Sequence, residues 1–402
     1  MQKLFSLKGR IQNYNWGGNE FIPNLLDLDL SNDKCAEYWL GAHVSAPSII
    51  TKKEGVESIT DFLKINLERK LGRKTANRFG RLPFLLKVLD VDDMLSIQVH
   101  PTKKEAENGF KKENDLGIPQ NASYRNYKDD NHKPEIMVAL SEFWLLHGFL
   151  PKKKLFKVLR SISEFSYLIP VFEKTGYYGL YKTVMEQSDD KNKEILEPIF
   201  DRILPQYKTD ELDKANPDYW VAKSVANTSN GNVYDKGIFS IYFFNLVKVD
   251  KGEAIFQDAG IPHAYLQGQN IELMANSDNV IRGGLTSKHI DVNELLKIVK
   301  FEETVPNILK GKLLKNGMER VYETPAPDFE LSKINLAVSQ VYKTISKSIE
   351  ILFLIDGQVK ISETNTVLNL KKGDSVLIIA DSNYNIVAEQ KTTLYKATTP
   401  IT

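Results

Sequence analysis

The hydrophobic period of this chain changes twice, and that restricts its fold more than any other feature. Up to about residue 145 the apolar residues come in short runs: PFLLKVL (83–89), LSIQVHP (95–101) and IMVAL (136–140). Runs of this length, bounded by turn signals such as Asp90-Val91-Asp92-Asp93, read as strands. The Asn- and Lys-rich segment over about 102–131 reads as loops with at most a helix. Between about 150 and 230 the spacing becomes helical. Ile195, Leu196, Ile199, Phe200, Ile203 and Leu204 share one helical face, and Pro198 predicts a helix start or kink nearby. Lys152–Leu159 and Tyr219–Val225 also read as helices. From about 238 the strands return, punctuated by Asp250-Lys251-Gly252-Glu253, Asp356-Gly357 and Lys371-Lys372-Gly373-Asp374. Short strands with Gly-containing turns at regular spacing predict a sandwich or jelly roll. The reading is a mainly β chain with an inserted α-helical segment.

The second β region holds a weak repeat. VDKGEAIFQDAGIPHAY (249–265) resembles LKKGDSVLIIADSNYNI (370–386), with Lys-Gly-acid, an apolar strand and a turn in both. His263 follows Gly252 at the distance at which Tyr384 follows Gly373. Either these are related β units, the second without the histidine, or two hairpins that look alike by chance.

Bulk properties narrow the function classes. At 402 residues the chain has room for two or three domains. Lys plus Arg is 53 against 52 for Asp plus Glu, so charge offers no argument for nucleic acid or an anionic membrane as partner. No run approaches the roughly 18–20 apolar residues of a membrane span. Lys3, Lys8 and Arg10 break the N-terminal segment, which therefore lacks a signal-peptide core. The single cysteine, Cys35, cannot form an internal disulfide, and its flanks show nothing that would activate a thiolate. A cytoplasmic location is the expectation.

Three segments carry candidate chemistry. In LSIQVHP, strand alternation puts Ser96, Gln98 and His100 on one side and Leu95, Ile97 and Val99 on the other. In DDNHKPEIMVAL, Lys133 precedes a proline and is biased toward extended backbone, so Lys133 and Glu135 share a face opposite Ile136, Val138 and Leu140. In GIPHAYLQGQNIE, His263 stands where a turn leads into a strand. Gln98, His100, Glu135 and His263 together offer an amide oxygen, two imidazole nitrogens and a carboxylate oxygen, a donor set suited to zinc. Singly, each reads as a solvated strand face or a loop histidine, and spacing does not show that they meet. In NSDNVIRGGLTSKHID, Arg282 precedes Gly283-Gly284, which permits close backbone approach. Arg282 and Lys288 suit a phosphate or an oxyanion, or are surface cations beside a loop.

Taken in order, NYNWGG (13–18), AEYWLGAHVSAPS (36–48), PFLLKVL (83–89), LSIQVHP (95–101), NHKPE (131–135), GIPHAYLQG (260–268) and SDNVIRGGLTSKHID (277–291) resemble type I mannose-6-phosphate isomerases, zinc enzymes of the cupin superfamily. The stretches span most of the chain. The resemblance implies a cupin (jelly-roll) core, an inserted α-helical domain and a second cupin-like C-terminal domain lacking metal ligands. The corresponding ranges are 1–148 and 236–320 for the catalytic cupin, 149–235 for the helices and 321–402 for the second cupin. It implies zinc held by Gln98, His100, Glu135 and His263, catalysis by Arg282 and Lys133, and substrate contacts from Lys87, Glu272 and Lys288. One departure from the wider superfamily supports this family within it. Gln98 stands where a first histidine is usual, and the carboxylate comes much later, at Glu135.

The implied reaction interconverts mannose 6-phosphate and fructose 6-phosphate through a cis-enediolate. Arginine stays protonated, so Arg282 is a poor general base, and Lys133 and Glu272 are the candidates for that role. The expected partner is a phosphosugar, with a monomer favoured over an obligate oligomer. Trp16, Trp39 and His43 are expected to pack rather than react. Two other readings remain at this point. His100, Glu135 and His263 alone would satisfy the facial triad of an iron-dependent dioxygenase. A sugar-binding cupin without turnover would keep the same pocket.

Overall fold

The computed structural model describes residues 2–30, 32–53, 55–226, 233–364 and 366–401. Residues 227–232, within the expected helical range, lie outside the described residues. The apolar runs read as strands are strands, Phe84–Val91, Ile97–Val99 and Glu135–Ala139, and Phe143–Phe149 adds another. With Phe244–Val249, Ala254–Gln257, His263–Ala275 and Ile281–Gly284 they form one ten-stranded sheet that also includes Arg10–Gln12 and Glu37–Gly41. The long strand His263–Ala275 is its spine, pairing with four other strands. Leu89, Val91, Met137, Ala139, Leu145, Val249 and Tyr265 fill the interior of this first barrel.

Strand alternation then decides what covers the outside. Leu86, Val88, Ile136, Val138, Ile271 and Leu273 point out of the barrel and meet Phe5, Leu7, Ile351, Phe353 and Leu377 of a second one. On the other flank Ile97, Val99, Leu146, Ala264 and Ile281 lie against Tyr181, Trp220 and Phe239 from the helices. The cupin core, second cupin and helical insertion are thus three layers sharing two apolar seams. The N-terminal strand Leu4–Lys8 pairs not with the first barrel but with Ser375–Ile378, Leu4 opposite Ile378. Among the described residues no helix is long and apolar enough to cross a membrane.

Two local expectations need correction. The helix around Pro198 starts at Asp189, where the Ser188 hydroxyl accepts the Lys191 N–H, and it runs through Pro198 and Pro205 to Lys208. The apolar face packed on its neighbours outweighs the backbone hydrogen bonds the prolines remove. A break in the helical backbone does occur, but at Gly176 within Leu168–Glu186. Finally, Leu95 precedes its strand and joins the first barrel's interior, away from Ile97 and Val99.

The repeat is real in three dimensions. Gly252 and Gly373 have φ of 89° and 88°. The Glu253 N–H donates to Asp250 O at 2.9 Å, as Asp374 does to Lys371 O at 2.9 Å. The register extends the match. Ala254 pairs with Val138 as Ser375 pairs with Phe353, which puts Glu350 at the position of Glu135. Gln98 stands opposite His263 as Thr344 stands opposite Tyr384. By the same ladders Lys396 occupies the place of Glu272, Ser332 that of Lys87, and Glu319 that of Glu37. The second barrel has kept two acids and exchanged a third for an ammonium. Lys396 Nζ lies 2.6 Å from Glu319 Oε1, and Tyr384 donates to Glu350 Oε2 at 2.6 Å, all buried.

Candidate metal centre and active site

Four strands place a transverse row of polar side chains inside the mouth of the first barrel. His147 pairs with His263, His263 with Gln98, and Gln98 with Arg282. Directly paired residues share a face, so this row follows from strand register alone. Glu135, at the start of its strand, comes in from the side. Its carboxylate oxygens lie 3.4 Å from His100 Nε2 and 3.6 Å from His263 Nε2.

The hydrogen bonds settle which nitrogens are free. His100 Nδ1 lies 3.1 Å from the Asn279 carbonyl and His263 Nδ1 lies 3.0 Å from the Ile261 carbonyl. A carbonyl only accepts, so both Nδ1 atoms carry a proton, and in the neutral ring each Nε2 presents a lone pair to Glu135. Burial pushes the His100 pKa down to about 4, so this ring is neutral near pH 7. Its Nε2 is buried without a hydrogen-bond partner. Two imidazole lone pairs and a carboxylate, all within 4.8 Å of one another and out of water, repel unless a cation lies among them. The described residues therefore fit a divalent metal. Gln98 pairs with His263 in the strand register and so stands on the same face, and the backbone bonds to Nδ1 fix the rings.

A second polar cluster adjoins the first. Burial would lower the Lys87 ammonium pKa, but Glu37 and Glu272 outweigh it and raise it; Lys87 Nζ lies 3.4 and 3.2 Å from their carboxylates. Tyr265 donates to Glu272 Oε2 at 2.9 Å, and the Trp39 indole donates to Glu37. Burial first, then the Glu135 charge, lifts the Glu272 carboxyl above its ordinary value. Lys133 reaches back to Glu135 Oε1 at 2.8 Å. Burial pushes the Glu135 carboxyl up, yet the Lys133 charge and the His100 and His263 rings together outweigh it and hold it well below the usual range.

The structure thus brings Gln98, His100, Glu135, His263, Lys133, Lys87, Glu272 and Arg282 to one end of one barrel. Lys288 lies at the exposed rim, where partial desolvation and the Arg282 charge lower its pKa. Arg282 is half-buried and, among the described residues, makes no salt bridge; desolvation lowers its pKa. Cys35 is buried away from this cluster with its thiol pKa raised by burial, which is the inert state.

Sequence reasoning missed several residues here. Glu37 carries no mark of its role within AEYWLG, although alternation places it on the face of Trp39. Asn279 fixes His100 through its carbonyl, while its side chain bonds Lys128, Asp129 and Asn131. Nothing in the sequence marks that role. Trp39 and His43 do pack, with ring centroids 4.7 Å apart, but His43 Nε2 also meets Asp278 Oδ1 at 3.1 Å.

Residues 4–152 match the family model for the catalytic domain of type I phosphomannose isomerase. The mannose-6-phosphate isomerase of Salmonella typhimurium is 37% identical over 397 residues, covering 95% of this chain and 96% of that one. The human enzyme of the same name is 31% identical over 96% of this chain and 95% of its own. Among solved structures, a point mutant of phosphomannose isomerase from Salmonella typhimurium superposes with a TM-score of 0.90 at 33% identity, over the whole of both chains. A zinc-bound holo form of mannose 6-phosphate isomerase does so with a TM-score of 0.88 at 33% identity, again over both chains entirely.

Proposed function

The chain belongs to the type I mannose-6-phosphate isomerases, and on that footing we propose a zinc-dependent interconversion of mannose 6-phosphate and fructose 6-phosphate in the polar mouth of the first barrel. Family membership sets the oxygenase and the non-enzymatic binding readings aside. The observation that carries the site assignment is the row His263–Gln98–Arg282, which puts a guanidinium without a salt bridge among the described residues one strand from the metal-binding face.

Zinc would be held by Gln98, His100, Glu135 and His263. When bound, it supplies positive charge that polarises and orients the substrate's C1 and C2 oxygens. The chain's own residues do the rest. Removing the C2 proton of the open-chain sugar drives charge onto those oxygens, and a preorganised cation in a dry site favours that state over the substrate. Arg282 meets this need because no carboxylate pairs with it among the described residues. Lys133, buried against Glu135, is the proposed carrier of the proton between C2 and C1, a role that requires its neutral amine. Both oxygens of Glu272 are engaged, by Lys87 and Tyr265, so the pair Lys87–Glu272 orients substrate hydroxyls rather than moving free protons. Lys288, at the rim beside Arg282, suits the phosphate.

The test is an isomerase assay on protein as isolated, after chelation and after zinc is returned. Activity lost on stripping and regained with zinc is the expected outcome; turnover persisting in verified metal-free protein would end the zinc role. In parallel, Arg282→Ala should lower kcat by roughly 10²–10³ with zinc content retained. A near-normal kcat with a raised KM would make Arg282 a phosphate anchor instead.

A further inference from the structure

Arg282 is the last residue held in regular register before its strand leaves the barrel wall. Ile281 and Arg282 pair with Val99 and Gln98, and the register shifts between Arg282 and Gly284. Immediately after, Leu285 adopts φ +54°, a left-handed backbone that a leucine does not take without support. The support comes from the helical insertion. Asp235 Oδ1 accepts the Leu285 N–H at 2.7 Å and the Gly237 N–H at 2.6 Å, and Oδ2 accepts the Thr286 N–H at 3.3 Å. One carboxylate thus ties the chain after Arg282 to the first turn of the helix Gly237–Phe243.

The backbones also touch. A β-carbon at Gly284 would collide with Gly237 Cα, and one at Gly237 with the Leu285 nitrogen. On the other side, a β-carbon at Gly283 would sit 2.8 Å from Tyr181 Oη and 3.0 Å from Ile97 Cγ2. Gly283 therefore lies in a slot between the metal-site strand Ile97–Val99 and the helix Leu168–Glu186, while Gly284 lies against Gly237. Three glycines and one carboxylate leave this segment a single path, and Arg282 is where that path begins.

We propose that Asp235 is a positioning residue for Arg282, and that the helical insertion sets how far the guanidinium reaches across the barrel mouth. The proposal rests on the catalytic role given to Arg282 above. Asp235 touches no reacting group itself. Its loss frees Leu285 from the left-handed conformation and lets the strand end move, and a shift of about 1 Å in a group that faces a developing charge costs on the order of 10²-fold in rate.

The experiment uses Asp235→Ala, Asp235→Asn, Arg282→Ala and the double variant Asp235→Ala/Arg282→Ala, each measured for kcat, KM and zinc content. Asp235→Ala should lower kcat by roughly 10- to 100-fold with zinc content unchanged. Asp235→Asn, which keeps the Oδ1 acceptor for Leu285 and Gly237, should stay within a few-fold of the natural protein. Adding Asp235→Ala to Arg282→Ala should cost nothing further, because the positioned group is already gone. A merely structural loss would be additive with Arg282→Ala, and that result overturns the proposal. Normal kcat in Asp235→Ala beside a crippled Arg282→Ala overturns it too, and leaves the Arg282 reading standing. Normal kcat in both overturns the Arg282 reading and this proposal with it. Should Asp235→Ala fail to fold, Gly284→Ala takes its place. It presses on Gly237 from the other partner of the same contact and should show the same loss of kcat with the same non-additivity.

Discussion

Replacing Lys396 by methionine keeps the aliphatic stem and removes an ammonium from the buried acids of the second barrel. Lys396 Nζ is 2.6 Å from Glu319 Oε1 and 3.4 Å from the Tyr342 hydroxyl, which itself donates to Glu319 Oε2 at 2.6 Å. Burial alone would lower the Lys396 pKa, but the charge of Glu350 and its neighbours outweighs it and raises it, so the ammonium is held in place by the cluster. Removing one partner of a buried pair strands the other, at about 3–5 kcal/mol. Because methionine fills nearly the same volume, little cavity cost adds to this. The assay is native-state hydrogen exchange, read at the amides of Leu331–Ile334 and Leu394–Ala397, which flank the cluster on paired strands. At tenfold per 1.4 kcal/mol, protection there should fall by roughly a hundred- to several-thousand-fold. Adding Glu319→Gln to Lys396→Met should restore a large part of it, since the stranded charge is gone. Zinc content and isomerase activity should stay at the natural level, because the first barrel holds the metal-binding face. Protection within a few-fold of the natural protein in Lys396→Met, or a double variant no better than the single, would refute the view that Lys396 is the counter-ion of this cluster.

Further outcomes follow from the same reasoning. His263→Ala and Glu135→Ala should each lower zinc occupancy measured by mass spectrometry of metals; full occupancy in purified His263→Ala would remove that residue from the ligand set. The Glu319 carboxyl gives a pH test with a definite sign. Burial raises it but Lys396 outweighs burial and holds it below its ordinary value of 4.5, so its stabilising contribution is present above that pH and is lost as pH falls through the lower folded value. The thermal midpoint of Glu319→Gln should therefore lie below that of the natural protein near pH 7, with the gap closing below about pH 4.5; a gap that widens on acidification would contradict the assignment. Ser188→Ala removes the hydroxyl that accepts the Lys191 N–H and should cost about 1 kcal/mol in thermal or urea unfolding.

Much of the site could be read before any fold was known. Alternation in LSIQVHP put Gln98 and His100 on one face, and Lys133 with Glu135 on another, because a strand's period of two leaves no choice once its length is set. The repeat between 249–265 and 370–386 exposed two related β units, since glycine in a left-handed turn and the acid after it leave a local signature. The resemblance of ordered segments supplied the proposed ligand set, of which the structure brings His100, Glu135 and His263 together. What was misread was also local in kind. Pro198 does not start its helix, which begins at Asp189 and runs on through the proline because the tertiary seam along Ile195, Ile199 and Ile203 decided it.

The sequence by itself determined which residues share a strand face, where the chain turns, and that an acid, two histidines and a glutamine stand on polar faces of apolar strands. Each of those properties depends on a few neighbouring residues. Only the tertiary structure decided that His263, Gln98 and Arg282 form one row, because that requires the register between strands far apart in sequence. It alone joined the strand Leu4–Lys8 to the C-terminal barrel and brought Asp235 to the backbone of Leu285. Register and docking arise from apolar surfaces shared between distant segments, and no local pattern records them.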